Sequence, residues 1–188
     1  AAMDVLTAIR TRHSISKMKP DPISREIIEQ LLEAGNQAPN HHRVRPWRFF
    51  VLMDGARDRL GDILAASQRD RQPDLPPEAY YKTRALPRRA PVVIAVGVDK
   101  PGENTKTIEI ENVCAAAAAC ENLLLAAHSF GLAAIWRTGE WARDPQVKAF
   151  FGLEPDQHLV AFIYIGYQEG ELEMKERPGV EDRVVWME

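Results

Sequence analysis

The sequence predicts a layered fold of helices and strands, of the α+β or α/β kind. Two runs, PVVIAVGVD (Pro91–Asp99) and HLVAFIYIGY (His158–Tyr167), are apolar throughout and of strand length, the pattern of strands buried on both faces. Helical periodicities lie between the strands, so the two kinds of element alternate. With 188 residues, 45% hydrophobic and 27% charged, the chain suits one domain or one subunit of an oligomer and can bury a substantial core.

Each element has its own local signal. Met3–Arg12 places Val5, Leu6 and Ile9 at helical spacing. In DPISREIIEQLLEAG, Ser24 is a plausible N-cap, Ile27, Ile28, Leu31 and Leu32 make one apolar face, and Gly35 can end the helix. Arg48–Asp54 is aromatic and β-branched, a strand, and a helix follows near Ala56–Ser67. Thr107–Phe130 reads as a long helix that Gly131 stops, with LAAIWRTG after it as strand and turn. Its five-alanine run, Ala115–Ala119, permits close helix approach and suits a dimer core. DPQVKAFFG has Asp144 as N-cap, Pro145 at the first helical position and Gly152 as stop. Residues 67–91 are Pro-rich and read as an irregular excursion or lid within a single domain spanning 3–188. The tail, 168–188, is polar until RVVWM, which suits packing on a partner subunit.

Composition excludes several classes. A net charge of −3 with mixed signs gives little support to nucleic-acid or membrane-surface binding. The most apolar run, Val113–Trp136, contains Glu121, Asn122 and His128, so it reads as a core or interface helix rather than a membrane span. The N-terminus has no charged stretch followed by an apolar one, and a cytoplasmic protein is expected. Cys114 and Cys120 form no CxxC pair and read as small buried apolar residues, so neither zinc nor a disulfide is expected.

Two cationic segments stand out. His41, His42, Arg43, Arg45 and Arg48 fall within eight residues, with no acid between Glu33 and Asp54; Arg10, Arg12, His13, Lys17 and Lys19 have none between Asp4 and Asp21. A metal would want acids or cysteines at ligand spacing, nucleic acid would want a wider basic face, and a solvated loop would leave the charges idle. An anionic small molecule fits best, because guanidinium forks pair with phosphate and Pro39 and Pro46 stiffen the loop. Neither a GxGxxG nor a GxxxxGK[ST] phosphate loop is present.

Four blocks, IRTRHSISKM, EAGNQAPNHHRVRPWRFFVL, GLAAIWRTGEWA and LVAFIYIGY, together resemble the NAD(P)H-dependent, FMN-containing nitroreductase family, in particular its small single-domain bacterial branch. The resemblance implies an α+β sandwich, a mixed sheet flanked by helices, in an intertwined homodimer with FMN at the subunit interface. It implies that Arg12 and Ser14 face the ribityl phosphate or pyrimidine edge, with His13, where a second basic residue is usual, between them. Gln37 and His41 match cofactor-contacting positions, and Trp136, Arg137, Thr138 and Gly139 are expected to reach the same flavin from the partner subunit. Lys175 and Arg177 are expected to add phosphate contacts, and Arg43 and Arg45 to shape the substrate face. No protein side chain need be catalytic, since the flavin carries the redox step and the 138–139 backbone is expected near its N5. The implied activity is transfer of a hydride from NADH or NADPH to FMN and of electrons onward to a small acceptor, such as a nitroaromatic or quinone, by a ping-pong mechanism. The alternative is an FMN-binding, storage or sensor protein of the same fold.

Overall fold

The computed structural model describes residues 3–188. Six α-helices are interspersed with four strands: α1 (Val5–Thr11), α2 (Arg25–Asn36), β1 (Trp47–Met53), α3 (Gly55–Arg71), α4 (Pro77–Arg84), β2 (Val92–Val98), α5 (Glu109–Ser129), β3 (Ala133–Arg137), α6 (Pro145–Phe150) and β4 (Leu159–Gly166). The predicted caps are in place. Ser24 Oγ accepts from Ile27 N at 3.3 Å, and Asp144 accepts from Gln146 N at 2.7 Å with Pro145 opening α6.

The strands form one sheet in the order β1-β2-β4-β3. All three neighbouring pairs are antiparallel, with Ile94 opposite Val51 and Ile163, and Trp136 opposite Ile163 from the other side. The expectation of a mixed sheet therefore gives way to an antiparallel one. β2 and β3 run in the same direction across the single helix α5, but β4 inserts between them, so no parallel pair forms.

Because successive side chains on a strand point to opposite faces, the apolar strands serve two cores. Ile94, Val96, Ile163 and Ile165 face α2 and α5, while Val93, Ala95, Phe162 and Tyr164 face α3 and α6. Each fully buried aliphatic of this kind contributes about 1.5–3 kcal/mol. α5 has a length and composition compatible with crossing a bilayer, yet it is the central core helix here, burying Ala116, Ala119, Cys120 and Leu123 completely. Its alanines are used within the chain: a Cβ on Gly35 of α2 would meet Ala119 O at 3.3 Å, and Asn122 Nδ2 donates to Ala34 O at 3.1 Å.

Two local expectations are corrected. Residues 67–91 are largely helical, comprising the end of α3, α4 and a 3-10 turn at Leu86–Arg89. The polar residues that suggested a loop hold α4 on α3: Thr83 Oγ1 donates to Gln68 Oε1 at 2.5 Å, Arg69 lies 4.8 Å from the Tyr80 ring centroid, and Pro77 starts a helix rather than breaking one. Cys114 is exposed, and only Cys120 is buried. In the tail, Val185, Trp186 and Met187 stand 84, 84 and 93% exposed on the single chain.

Gly61 marks the closest approach of α3 to α4, since a Cβ there would lie 2.0 Å from the Arg84 carbonyl oxygen. Gly61→Ala is expected to lose about 1–3 kcal/mol, read as a lower urea midpoint with an unchanged slope.

Candidate functional site

The N-terminal motif is held at the end of α1. Asp4 caps the helix, accepting from Thr7 N at 3.0 Å and Thr7 Oγ1 at 2.6 Å, and the helix stops where Arg12 turns extended. Thr11 Oγ1 donates its one hydrogen to Thr7 O at 2.7 Å, so at its other contact, 2.7 Å, it accepts from His128 Nε2 of α5. Burial, with Arg12 and His13 adding, lowers the His128 pKa and keeps the ring neutral. Arg12 Nε lies 3.6 Å from Glu121, also on α5, and His13 Nδ1 is 2.9 Å from Thr11 O. Beyond the motif, Ile15 N donates to Ala134 O at 3.1 Å, running the segment along the edge of β3 that no other strand covers.

The tail returns to the same place. Arg177 Nη1 donates to Arg10 O at 3.1 Å and Nη2 to Arg12 O, while Lys175 O lies 3.4 Å from His13 Nε2. These carbonyls are the acceptors that α1 leaves unsatisfied at its C-terminus, where a cation is favourable. Residues 175–177 thus lie beside Arg12 and His13. The Arg177 guanidinium itself is engaged by backbone carbonyls.

β3 leads into the third motif. Trp136 turns toward α5, its Nε1 donating to Val160 O at 2.8 Å. Arg137 points to the other face, its Cζ 6.0 Å from the Tyr164 ring centroid, and its Nε is buried with no hydrogen-bond partner among the described residues. Gly139 has φ +75°, a conformation that disfavours any side chain. Arg137, Thr138 and Gly139 border a cavity of about 390 Å³ walled by Leu64, Trp141, Phe162 and Tyr164, with Arg89 as second cation and no carboxylate in the lining. Burial raises the Tyr164 pKa against the opposing pull of Arg137 and Arg89, so its hydroxyl stays protonated. Arg89 and Tyr164 were not among the sequence candidates. Tyr164 was reachable from its period-two companionship with Phe162, whereas Arg89 is placed only by the turn before β2.

The second block lies elsewhere on the same chain. Gln37 is the exposed C-cap of α2, and His41 Nε2 sits 3.7 Å from Glu111 beside a small cavity that Cys114 also lines. Glu111 and Glu121, the partners of His41 and Arg12, are ten residues apart on α5, about 15 Å. His42, Arg43 and Arg45 take φ of 55°, 54° and 46°, left-handed values that are strained for non-glycine residues and collect at functional loops. Arg45 lines an open groove of about 690 Å³ between α2 and β1, where Arg48 is already paired with Asp99 at 2.8 Å. Neither Arg43 nor Arg45 lines the cavity at the 138–139 turn. One chain thus sets Ile15, next to the Arg12–Ser14 motif, beside Ala134 of β3, and holds His41 at Glu111 and Arg45 in a separate groove.

The geometry defines an α+β protein with a cationic, aromatic-walled cleft at the open edge of an antiparallel sheet. The family model described as the Nitroreductase family matches residues 9–167, and the chain belongs to that family. YfhC of Bacillus subtilis, named as an NAD(P)H nitroreductase, is 31% identical over 95% of this chain and 92% of its own length. A nitroreductase from Desulfovibrio desulfuricans solved in complex with FMN is 31% identical, with a TM-score of 0.72 over 96% of this chain and 95% of that one. The nitroreductase-like protein of Bacillus cereus shares the fold at a TM-score of 0.84 over 100% and 98% of the two chains, with 21% identity.

A buried guanidinium nitrogen without a partner is destabilising, so Arg137→Met is expected to raise the stability of the ligand-free protein by about 1–3 kcal/mol, read by thermal unfolding. For His128, the lowered folded-state pKa means the unfolded chain takes up its proton first as the pH drops. The stability it contributes is complete above its ordinary value of 6.5 and is lost as the pH falls from there through the folded value. His128→Gln is expected to flatten the melting temperature between about pH 7 and 5.5 relative to wild type.

Proposed function

We propose that this protein is an FMN-dependent oxidoreductase that takes a hydride from NADH or NADPH and reduces small acceptors such as nitroaromatics or quinones. The observation that carries the reading is Arg137, a guanidinium with an unpartnered buried nitrogen beside an aromatic cavity, in a chain of the nitroreductase family. FMN fits these residues, being a planar ring for the apolar and aromatic walls with polar ring edges for Arg137. When bound, FMN supplies the hydride-accepting ring, and the chain binds, orients and excludes water. Arg12 and Ser14 are positioned to hold the phosphate, with Lys175 beside them and Arg177 fixing the carbonyls of Arg10 and Arg12. Thr138 and Gly139 line the cleft and are expected to offer backbone N–H groups near N5, and Leu64, Phe162 and Trp141 give it apolar walls. One cleft serving donor and acceptor in turn corresponds to ping-pong kinetics.

A homodimer completes the site. His41 is held at Glu111, about 15 Å along α5 from the Glu121 that pairs with Arg12, so His41, with Gln37 on the same connection, is expected to reach the cofactor of another copy rather than its own. Arg43 and Arg45 arrive on the same loop and face the acceptor. Val5 and Leu6 of α1, 71 and 65% exposed, Ile110 of α5, 62% exposed, and the Val185–Met187 tail supply apolar surface for that contact.

The purified protein is expected to be yellow or to take up added FMN, to lose its flavin absorbance under anaerobic NADH or NADPH, and to sediment as a dimer. Arg12→Ala is expected to raise the FMN Kd by about tenfold or more. Failure to bind FMN overturns the proposal, and bound flavin that neither nicotinamide reduces makes the protein a flavin carrier instead.

A further inference from the structure

A second cavity, of about 330 Å³, opens where the N-terminal segment crosses the start of β2, and Lys19, Arg57, Arg88 and Arg89 all line it. Two of these cations are braced. Arg57 donates through Nε to Asp54 O at 3.2 Å and through Nη1 to Ala90 O at 2.8 Å, and Arg88 grips Asp58 through Nε and Nη2. Lys19 is anchored by its backbone, N donating to Tyr167 O at 2.8 Å, and neither its ammonium nor the Arg89 guanidinium has a carboxylate partner among the described residues. Four cations against the one carboxylate of Asp58, two of them locked before any ligand arrives, make a preorganised anion site.

Arg89 lines this cavity and the cleft at the 138–139 turn, so the two are neighbours. Their far ends are well separated. Arg137 lies opposite Phe162, whereas Lys19 is bonded to Tyr167, five residues farther along β4 and its continuation, about 17 Å. A ligand seated at Arg137 reaches Lys19 only if it is extended over that span. The cations assigned above to the flavin phosphate, around the end of α1, include none of those lining this cavity.

We propose that this cavity is a phosphomonoester site that receives the 2′-phosphate of the hydride donor, so that the protein uses NADPH in preference to NADH. The inference rests on the oxidoreductase reading for its meaning, but a binding comparison tests it without turnover. With FMN-loaded protein, or the protein as purified if it holds none, adenosine 2′,5′-bisphosphate is expected to bind about tenfold more tightly than AMP, and Lys19→Glu and Arg89→Ala are each expected to remove the difference. In turnover, Lys19→Glu is expected to lower kcat/KM for NADPH by about tenfold and leave that for NADH within about twofold. Equal binding of the two adenosine phosphates, or a contrast that survives both substitutions, overturns the proposal. So does a collapse of the preference for FMN over riboflavin in Lys19→Glu, which assigns the cavity to the flavin phosphate instead. A protein that takes up no FMN defeats the oxidoreductase reading, while the bisphosphate comparison still decides this one.

Discussion

The arrangement depends on α5 lying flat across β2 and β4. Its small buried face, Ala115, Ala116, Ala119 and Cys120, lets it sit close to α2 and the sheet, and Leu123, Leu124 and Ala127 extend that contact. The helix then acts as a ruler. Glu111, Glu121 and His128 project from it at fixed spacing and hold His41, Arg12 and Thr11 respectively. An interior packed to crystal-like density does not slide, so segments far apart in sequence are set at definite separations. The same density leaves Cys120 inert, its thiol pushed up to about 12 by burial.

Against that rigid centre, the cleft concentrates unmet polar demand. Several arginines of α3, α4 and the turn before β2 are matched: Arg84 with Asp62, Arg88 with Asp58, Arg71 with Glu140. Such exposed pairs contribute little to stability, but they show where charge is already accounted for. Arg137 differs, having neither a carboxylate nor a carbonyl for its buried nitrogen. A buried donor left unsatisfied is costly and calls for an explanation, and the proposed flavin supplies one.

The tail extends the same logic to the surface. Arg177 ties residues 175–177 to the end of α1, so the tail closes over the motif that carries Arg12 and His13. Beyond that clasp it ends in a side-chain run too apolar to be at ease in water, which is why the proposed dimer buries it.

By itself the sequence determined the elements and their kinds. Uninterrupted apolar runs fixed β2 and β4, Ser24 and Asp144 fixed two helix starts, and Gly131 the end of α5's region, because these signals act over a few residues. The motifs around Arg12, His41 and Thr138 were legible for the same reason. Only the tertiary structure decided that the sheet is antiparallel, that residues 67–91 are helical, and that Arg89 and Tyr164 join Arg137 in one cavity. These outcomes follow from which strand inserts between which and from polar side chains finding distant partners, such as Thr83 on Gln68, and no local pattern encodes such long-range pairings.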